Sequence, residues 1–365
     1  MARAKSESRR FRSWWSRTLL ALGVPVVLVG SIVLYNYLRH IVFRFPTESV
    51  AFESADGTRL VGTLLKPAEE GVFPVVVVLH GSGPENIYGP SYRVLTNTIL
   101  RAGLAVLLYD KRGVGDSGGE FEKALYSDFV ADAAAAVEFL AGREDLDAER
   151  IGLFGNSESG WFTPEIAHVT GQVAFVFNRA GAPLSWRDTV LWEVRSDLMT
   201  AGVAEHELEP LLEVTMRRWN FHVNAATDPE LAEGPERDAI EAELKRLIAE
   251  VPAAEAEIPD RLPAYDPGLY AAWGADIAYD PRPFLEAVDI PMVYTFAEND
   301  INVPTAACVA FLEEFRSRLG KDIDIVVIEG VGHPMVSWQG LFTAGYVPEF
   351  LELIETWYTK QAAGP

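Results

Sequence analysis

The segment Ile151-Gly-Leu-Phe-Gly-Asn-Ser-Glu-Ser-Gly-Trp161 constrains the fold of this chain more than any other. It predicts a short apolar strand that stops at Gly155, a turn through Ser157, and then a helix. A serine on such a sharp turn has a strained backbone and an exposed hydroxyl, and the next backbone N–H faces the same space. Ser159 stands two positions after Ser157, where the G-x-S-x-G pattern has glycine. The segment alone is therefore also compatible with a strand-to-helix turn that has no catalytic role.

The segments on either side predict strands that alternate with helices. Pro74-Val-Val-Val-Val-Leu79 is an unbroken apolar run, typical of a strand buried on both faces of a parallel sheet. A hairpin is predicted over 48–66, and further strands over Leu104–Tyr109, Val173–Phe177, Met292–Phe296 and Ile323–Ile328. Helices are predicted over Tyr92–Ala102, Tyr126–Ala141, from the Ser157 turn to about Thr170, and over Val347–Lys360. This order predicts an α/β fold with a doubly wound, mostly parallel sheet.

Residues 184–285 interrupt the alternation with helical segments and proline-rich loops, among them Trp186–Thr200, Glu205–Phe221 and Pro229–Glu250. An insertion of this length between core strands is typical of a lid over a functional site. We therefore expect a core of residues 45–183 and 286–365, with a helical lid over 184–285. Seven aromatic residues could line an apolar acyl pocket or simply pack the lid: Trp186, Trp192, Trp219, Phe221, Tyr265, Tyr270 and Trp273.

The first 44 residues differ from the rest in charge and hydropathy. Thr18–Leu38 contains no charged residue over 21 positions, about the ~20 residues that a membrane-spanning helix needs. Residues 1–44 carry eight Lys and Arg against Glu7, mostly before this run, which predicts a cytoplasmic N-terminus and an extracytoplasmic catalytic domain. We expect a single-pass signal anchor in a bacterial-type plasma membrane. A cleaved signal peptide and a buried core helix are the alternatives.

The remaining composition excludes several classes of function. The net charge is −22, and residues 45–365 alone carry −29, so we expect no nucleic-acid partner. Cys308 is the single cysteine, which rules out an intrachain disulfide, a zinc–thiolate site and a thiol redox pair. The sequence implies neither a metal nor an organic cofactor, and it does not specify an oligomeric state.

Two candidate catalytic residues follow predicted strands, at the edge where open α/β sheets place their sites. Asp300 follows Met292–Phe296, and His333 follows Ile323–Ile328. With Ser157 they occur in the chain order serine, acid, histidine. His333 would take the Ser157 proton and return it to the leaving group, while Asp300 would fix the imidazole tautomer. Glu298, on the same loop as Asp300, is the alternative acid.

Two backbone N–H groups are candidates for an oxyanion hole. One belongs to Glu158, directly after Ser157, and the other to Ser82 in the loop His80-Gly-Ser-Gly83. Asp110, Arg112 and Asp116 follow another predicted strand. We expect these three to brace a turn rather than to catalyse.

Together these segments resemble the α/β-hydrolase superfamily, in its bacterial serine-esterase branch, with similarity to dienelactone-hydrolase-like and prolyl-aminopeptidase-like members. The resemblance implies Ser157 as nucleophile, Asp300 as acid and His333 as base. The sequence departs from the branch at Ser159 and at Asn156, a position often held by histidine. The matching segments are PVVVVLHGSGP (74–84), YDKRGVGDSGG (109–119), GLFGNSESG (152–160), AENDINVP (297–304) and GVGHP (330–334).

The function expected from these observations is a membrane-anchored serine hydrolase that cleaves small carboxylic esters through an acyl-enzyme on Ser157. A thioesterase and an aminopeptidase-like amide hydrolase would use the same three residues. A non-catalytic binding domain on the same fold is the alternative from another class, and Ser159 is the feature that favours it.

Overall fold

The structure is a computed structural model that describes residues 24 and 26–364. Within these residues an eight-stranded sheet has the order β1-β2-β4-β3-β5-β6-β7-β8. The β1–β2 and β2–β4 pairs are antiparallel, and the other neighbours are parallel. The mostly parallel sheet predicted from the sequence is thereby confirmed. The strands are β1 (Thr47–Glu53), β2 (Arg59–Leu65), β3 (Phe73–Leu79), β4 (Ala105–Tyr109), β5 (Leu146–Asn156), β6 (Val173–Arg179), β7 (Met292–Ala297) and β8 (Ile323–Ile328).

Helices cover both faces of this sheet. One face packs against α1 (Pro90–Arg101) and α10 (Pro348–Ala363). The other packs against α2 (Tyr126–Ala141), α3 (Ser159–Thr170), α8 (Arg282–Ala287) and α9 (Thr305–Leu319). The apolar run of strand β3 is unbroken because its side chains alternate between two cores. Val75 and Val77 point into one core, and Val76 and Val78 point into the other. A strand with two buried faces has no position for a polar side chain.

The helical insertion between β6 and β7 has an apolar core of its own, with Leu198, Leu211, Leu244 and Tyr270 among its members. The prediction of one helix over Pro229–Glu250 is wrong at its start. Gly234 has extended backbone angles and separates a short 3₁₀ turn, Pro229–Glu233, from the helix that follows. The helices of the insertion are α4 (Trp186–Thr200), α5 (Glu205–Thr227), α6 (Pro235–Glu250) and α7 (Pro267–Ile277).

At the N-terminal end of the described chain, residues 26–36 are helical and lead into a π-helical turn, Tyr37–Ile41. The Asn36 amide fastens this segment to the core by donating to the Leu341 carbonyl and accepting from the Ala344 N–H. Of the helices in residues 24 and 26–364, none is both long and apolar enough to cross a membrane. Residues 18–23 and 25 of the predicted span lie outside the described residues.

Candidate active site

Strand β5 ends in a tight turn that presents Ser157. The φ angle of Ser157 is 53°, a left-handed conformation that non-glycine residues rarely adopt. Its backbone N–H donates to the Arg179 carbonyl at 2.8 Å, which ties the turn to the end of β6. The strained serine predicted from the sequence is therefore present.

The glycine that this turn requires after the serine is Gly160. A Cβ on Gly160 would lie 2.5 Å from the Cα of Gly181, and a Cβ on Gly155 would lie 2.4 Å from Asn178 Oδ1. The strand end and the helix start therefore meet at Gly155 and Gly160. The tight contact after Ser157 thus falls at Gly160, one residue later than the second glycine of the G-x-S-x-G pattern, and Ser159 is not the point of close approach.

Ser159 fits its buried position through hydrogen bonds. Its Oγ accepts from the Asn156 N–H at 2.7 Å and lies 3.2 Å from the Leu79 carbonyl, to which it can donate. The hydroxyl thus links β5 to β3 beneath the turn. Serine at this position supports the turn rather than disturbing it.

Ser157 lies within hydrogen-bonding distance of His333, and His333 lies within hydrogen-bonding distance of Asp300. Ser157 Oγ is 2.9 Å from His333 Nε2. The other ring nitrogen, Nδ1, is 2.8 Å and 3.0 Å from the two carboxylate oxygens of Asp300. The arrangement can pass a proton from the serine to the imidazole while the carboxylate holds the ring in one tautomer.

The carboxylate beside His333 belongs to Asp300 and not to Glu298. The Asp300 side chain is fully buried and accepts the backbone N–H groups of Asn302 and Val303 at 2.9 and 3.0 Å. Glu298 instead accepts the backbone N–H of Gly330 at 2.8 Å. The structure thus shows which of the two acids lies beside His333, a choice that the sequence left open.

The two residues that carry the predicted oxyanion donors line the same cavity. Ser82 and Glu158 both line it beside Ser157 and His333. Neither backbone N–H has an acceptor among the described residues. Both N–H groups therefore remain candidates for an oxyanion hole.

Arg179, Asn156 and Tyr92, to which the sequence analysis gave no role in the site, join the Ser157 turn to its neighbours. Arg179 donates to the Asn156 side chain and, at 3.2 Å, to the His333 carbonyl. Asn156 donates to the Tyr92 hydroxyl at 2.9 Å, and this hydroxyl also accepts the Gly81 N–H at 2.8 Å. This network fixes the loops that carry Ser157, His333 and Ser82 relative to one another. The position of Arg179 at the carboxyl end of β6 is the one signal that could have indicated it.

Lys111 is a further residue that the sequence analysis missed, and it touches both predicted oxyanion segments. Its ammonium donates to the Gly81 carbonyl at 2.8 Å and to the Glu158 carboxylate at 3.1 Å. The side chain is buried, and the ammonium lies 4.4 Å from the centre of the Phe129 ring. A buried cation needs such partners, since burial without them costs several kcal/mol, of the order of 3–5 kcal/mol or more.

The charged residues beside Lys111 brace the loop, as expected. Arg112 forms a fork on the Asp132 carboxylate at 2.7 and 3.1 Å. Asp110 accepts the backbone N–H groups of Ile87 and Asp116 at 2.9 and 3.1 Å. Asp116 takes part in this bracing through its backbone N–H.

The cavity in front of Ser157 has a volume of about 860 Å³, counted out to its opening to solvent. Helix α4 forms one wall through Trp186, Thr189, Val190 and Glu193. Of the seven aromatic residues considered for this pocket, only Trp186 lines it. Trp219 packs behind Trp186 at 4.9 Å between ring centres, Trp192 is exposed, and Phe221, Tyr265, Tyr270 and Trp273 pack within the helical insertion.

Two titratable groups near the cavity have shifted pKa values. Burial raises the pKa of Glu193, and the nearby carboxylates of Asp197 and Asp300 raise it further. Burial lowers the pKa of His80 to about 3, with the charge of Lys111 adding to the effect. His80 is therefore a neutral packing residue, against the Tyr92 ring at 4.4 Å. No group of three or more His, Cys, Asp or Glu residues within residues 24 and 26–364 is placed to hold a metal ion.

Comparisons with known proteins agree with this fold. The family of X-Pro dipeptidyl-peptidases (S15 family) matches residues 56–319. Esterase EstD of Thermotoga maritima is 26% identical over 301 residues, which cover 80% of this chain and 62% of that esterase. The chain thus spans less than two thirds of the length of this relative.

Solved structures give the same architecture. An esterase of Pyrococcus furiosus superposes with a TM-score of 0.54 at 16% identity, covering 88% of this chain and 92% of that one. Est1E of Butyrivibrio proteoclasticus, solved with ferulic acid bound, superposes with a TM-score of 0.55 at 18% identity, covering 86% and 99%. Together with the family match over residues 56–319 and the similarity to EstD, these structures confirm the resemblance to the α/β-hydrolase superfamily.

Proposed function

We propose that this chain, which belongs to the X-Pro dipeptidyl-peptidase (S15) family, is a serine hydrolase that cleaves carboxylic esters through an acyl-enzyme on Ser157. The observation that carries the proposal is the continuous path from Ser157 Oγ through His333 to the buried Asp300 carboxylate. Similarity to named esterases supports the ester as substrate.

The first half-reaction transfers the acyl group to the enzyme. Ser157 Oγ attacks the carbonyl carbon while His333 Nε2 takes its proton. The carbonyl oxygen becomes an oxyanion and accepts hydrogen bonds from the Ser82 and Glu158 N–H groups, which are free to donate. The tetrahedral intermediate collapses when His333 returns the proton to the departing alcohol oxygen.

The second half-reaction regenerates the serine. A water molecule gives a proton to His333 and attacks the acyl carbon, and a second oxyanion forms in the same place. Its collapse releases the carboxylic acid and returns the proton to Ser157 Oγ. Asp300 keeps Nδ1 protonated throughout and stabilises the imidazolium that forms in each half-reaction.

The cavity walls support a substrate with an apolar acyl or alcohol group. Trp186, Val190 and Ala182 lie on the walls beside Ser157. Because α4 forms part of these walls, we assign the helical insertion the role of a lid that selects the substrate.

Amide hydrolysis at a free amino terminus is the second candidate, and Glu193 is the observation that favours it. The Glu193 carboxylate lines the cavity and accepts from the Asn302 amide at 2.6 Å, with no cationic partner among the described residues. A substrate ammonium would supply the missing charge. A thioester would use the same chemistry at Ser157, and no contact in the cavity favours it.

We also propose that the enzyme is anchored in a membrane by the apolar run Thr18–Leu38. The lack of charge in this run and the basic residues before it support the anchor. Trp338, Leu341 and Phe342 are exposed on the segment to which Asn36 is hydrogen-bonded. Such side chains suit a surface next to lipid. Membrane fractionation of cells that express the full chain, compared with a chain that begins at residue 45, tests the anchor; equal solubility of the two would contradict it.

The activity is tested with the full chain in detergent, as wild type, Ser157→Ala and the control Ser49→Ala, whose serine is exposed on β1. The assays are fluorophosphonate labelling, aryl esters of increasing acyl length, aminoacyl anilides and X-Pro dipeptidyl anilides. We expect labelling and ester turnover in wild type and Ser49→Ala, and a loss of several orders of magnitude in Ser157→Ala. Cleavage of anilides alone would favour the peptidase. Three equally inert proteins would favour the binding domain.

A further inference from the structure

The helical insertion contains a second cavity, away from Ser157 in sequence and in lining. Its volume is about 940 Å³, counted out to its opening to solvent. About 500 Å³ of this space is open to water, and this size and an apolar wall with a few polar groups are typical of small-molecule sites. The apolar lining includes Trp219, Trp273, Leu262, Ile277, Pro259 and Pro263.

Arg218 lines this cavity without a charged partner. Its Nη1 atom is buried and makes no hydrogen bond, and the guanidinium forms no ion pair with any carboxylate of the described chain. Burial lowers its pKa, and no neighbouring acid offsets the effect. A partly buried cation left without a counter-charge is costly, so the arrangement points to a partner from outside the chain.

His222 lies one helical turn after Arg218 on α5, and residues four apart share a face of a helix. It is only 5% exposed, and neither ring nitrogen has a hydrogen-bond partner among the described residues. Burial lowers its pKa to about 4, with the charge of Arg218 adding to the effect. At neutral pH the ring is therefore uncharged and carries one N–H donor that lacks an acceptor among the described residues.

The neighbouring Arg217 shows what an arginine of this helix does when acids are near. It pairs with Glu236 at 2.9 Å and with Glu243 at 2.8 Å. The chain has 53 acidic residues against 31 Lys and Arg. In so acidic a protein, most cations are expected to have a carboxylate nearby, and Arg218 is an exception because no carboxylate pairs with it. Arg261 also lines the cavity, but its guanidinium donates to Asp260.

We propose that this cavity binds a small amphipathic monocarboxylate, whose carboxylate meets Arg218 and His222 and whose apolar part lies against Trp219 and Trp273. The guanidinium offers the planar fork that a carboxylate accepts, and the imidazole N–H adds a third donor. One unpaired cation matches a single negative charge, and the apolar walls match an alkyl or aryl group. The proposal does not rest on hydrolysis at Ser157.

The test must separate this cavity from the one at Ser157, because Trp219 packs against Trp186, which lines the latter. Calorimetric titration of the full-length Ser157→Ala protein with octanoate and with its neutral isostere octanamide measures binding without turnover, and substitutions in the second cavity make this separation. Arg218→Gln is the test variant, and Arg217→Gln is the control with its cation outside the cavity. His222→Phe is the second test variant.

We expect octanoate to bind at least tenfold more tightly than octanamide. Arg218→Gln should remove this preference, His222→Phe should weaken octanoate severalfold, and Arg217→Gln should leave it within twofold. The empty Arg218→Gln protein should melt no lower than its parent, because the substitution removes an unpaired buried charge. Equal binding of octanoate and octanamide, no binding at millimolar concentration, or octanoate binding unchanged in both Arg218→Gln and His222→Phe would overturn the proposal.

Discussion

The ammonium of Lys111 lies 3.1 Å from the carboxylate of Glu158, and the same ammonium donates to the Gly81 carbonyl at 2.8 Å. One buried cation thus holds Glu158, the residue after Ser157, against the loop that contains Ser82. These are the two segments that carry the proposed oxyanion donors. We therefore infer that Lys111 is a positioning residue, which would act on the oxyanion through the backbone of its partners.

Lys111→Met should lower kcat about 10- to 100-fold with little change in KM, because small displacements of the oxyanion donors act on the transition state. Glu158→Gln should lower kcat by a smaller factor than Lys111→Met. The double variant should lose less than the product of the two single losses, since both remove one contact. Lys123→Met is the control, because Lys123 is exposed. A Lys111→Met effect confined to thermal stability would show a structural role alone.

Asp300→Asn should reduce kcat by about 10⁴-fold, as loss of the acid does in other serine triads, because asparagine favours the wrong imidazole tautomer. Glu298→Gln is the matched variant on the same loop, and it should stay within severalfold of wild type. Its carboxylate accepts from the Gly330 N–H and does not touch His333. Steady-state ester hydrolysis measures both, and a larger loss in Glu298→Gln would reverse the assignment of the acid.

Gly160→Ala should destabilise the protein by about 1–3 kcal/mol and lower ester turnover, because the added Cβ would lie 2.5 Å from the Cα of Gly181. Gly142→Ala provides the control. There the nearest atom to an added Cβ is 3.6 Å away, an ordinary contact. Urea unfolding and kcat report the two effects. Equal stability of both variants would mean that the strand end and helix start can separate at little cost.

Glu193→Gln tests whether the cavity selects a cationic group. It should lower kcat/KM for aminoacyl esters about tenfold, the loss of one charge contact of about 1.4 kcal/mol, and leave neutral esters unchanged. Glutamine keeps an oxygen to accept from Asn302. Glu209→Gln, at an exposed position of the insertion, is the control. Equal losses for both ester classes would assign Glu193 to the packing of the wall.

Asp276→Asn should change the pH dependence of stability. Burial raises the pKa of Asp276 to about 6 from its ordinary 3.8. The folded state therefore binds more protons than the unfolded state between these values, and stability falls as the pH rises through this window. Asparagine lacks the charge and can still accept from the Tyr126 N–H. The variant should melt about 2 °C higher than wild type at pH 7.5 and equally at pH 4. A constant difference across this range would contradict the pKa shift.

The sequence by itself determined the sheet and the position of Ser157 within it. Apolar runs such as Pro74–Leu79 and the alternation of strands with helices are local signals, because burial on two faces dictates side-chain type along one segment. Chain order at the strand ends then predicted that Ser157, Asp300 and His333 would meet. The structure brings these three together.

Only the tertiary structure decided which partners each residue has. Asp300 and Glu298 lie on one loop, and only the path of the loop shows which of them reaches His333. Gly160 and Gly181 are 21 positions apart, so their contact cannot be found from the pattern around Ser157. The same is true of Lys111, which contacts Gly81 and Glu158. Such contacts join segments distant in sequence, and the physical reason is that packing, not local periodicity, brings their atoms together.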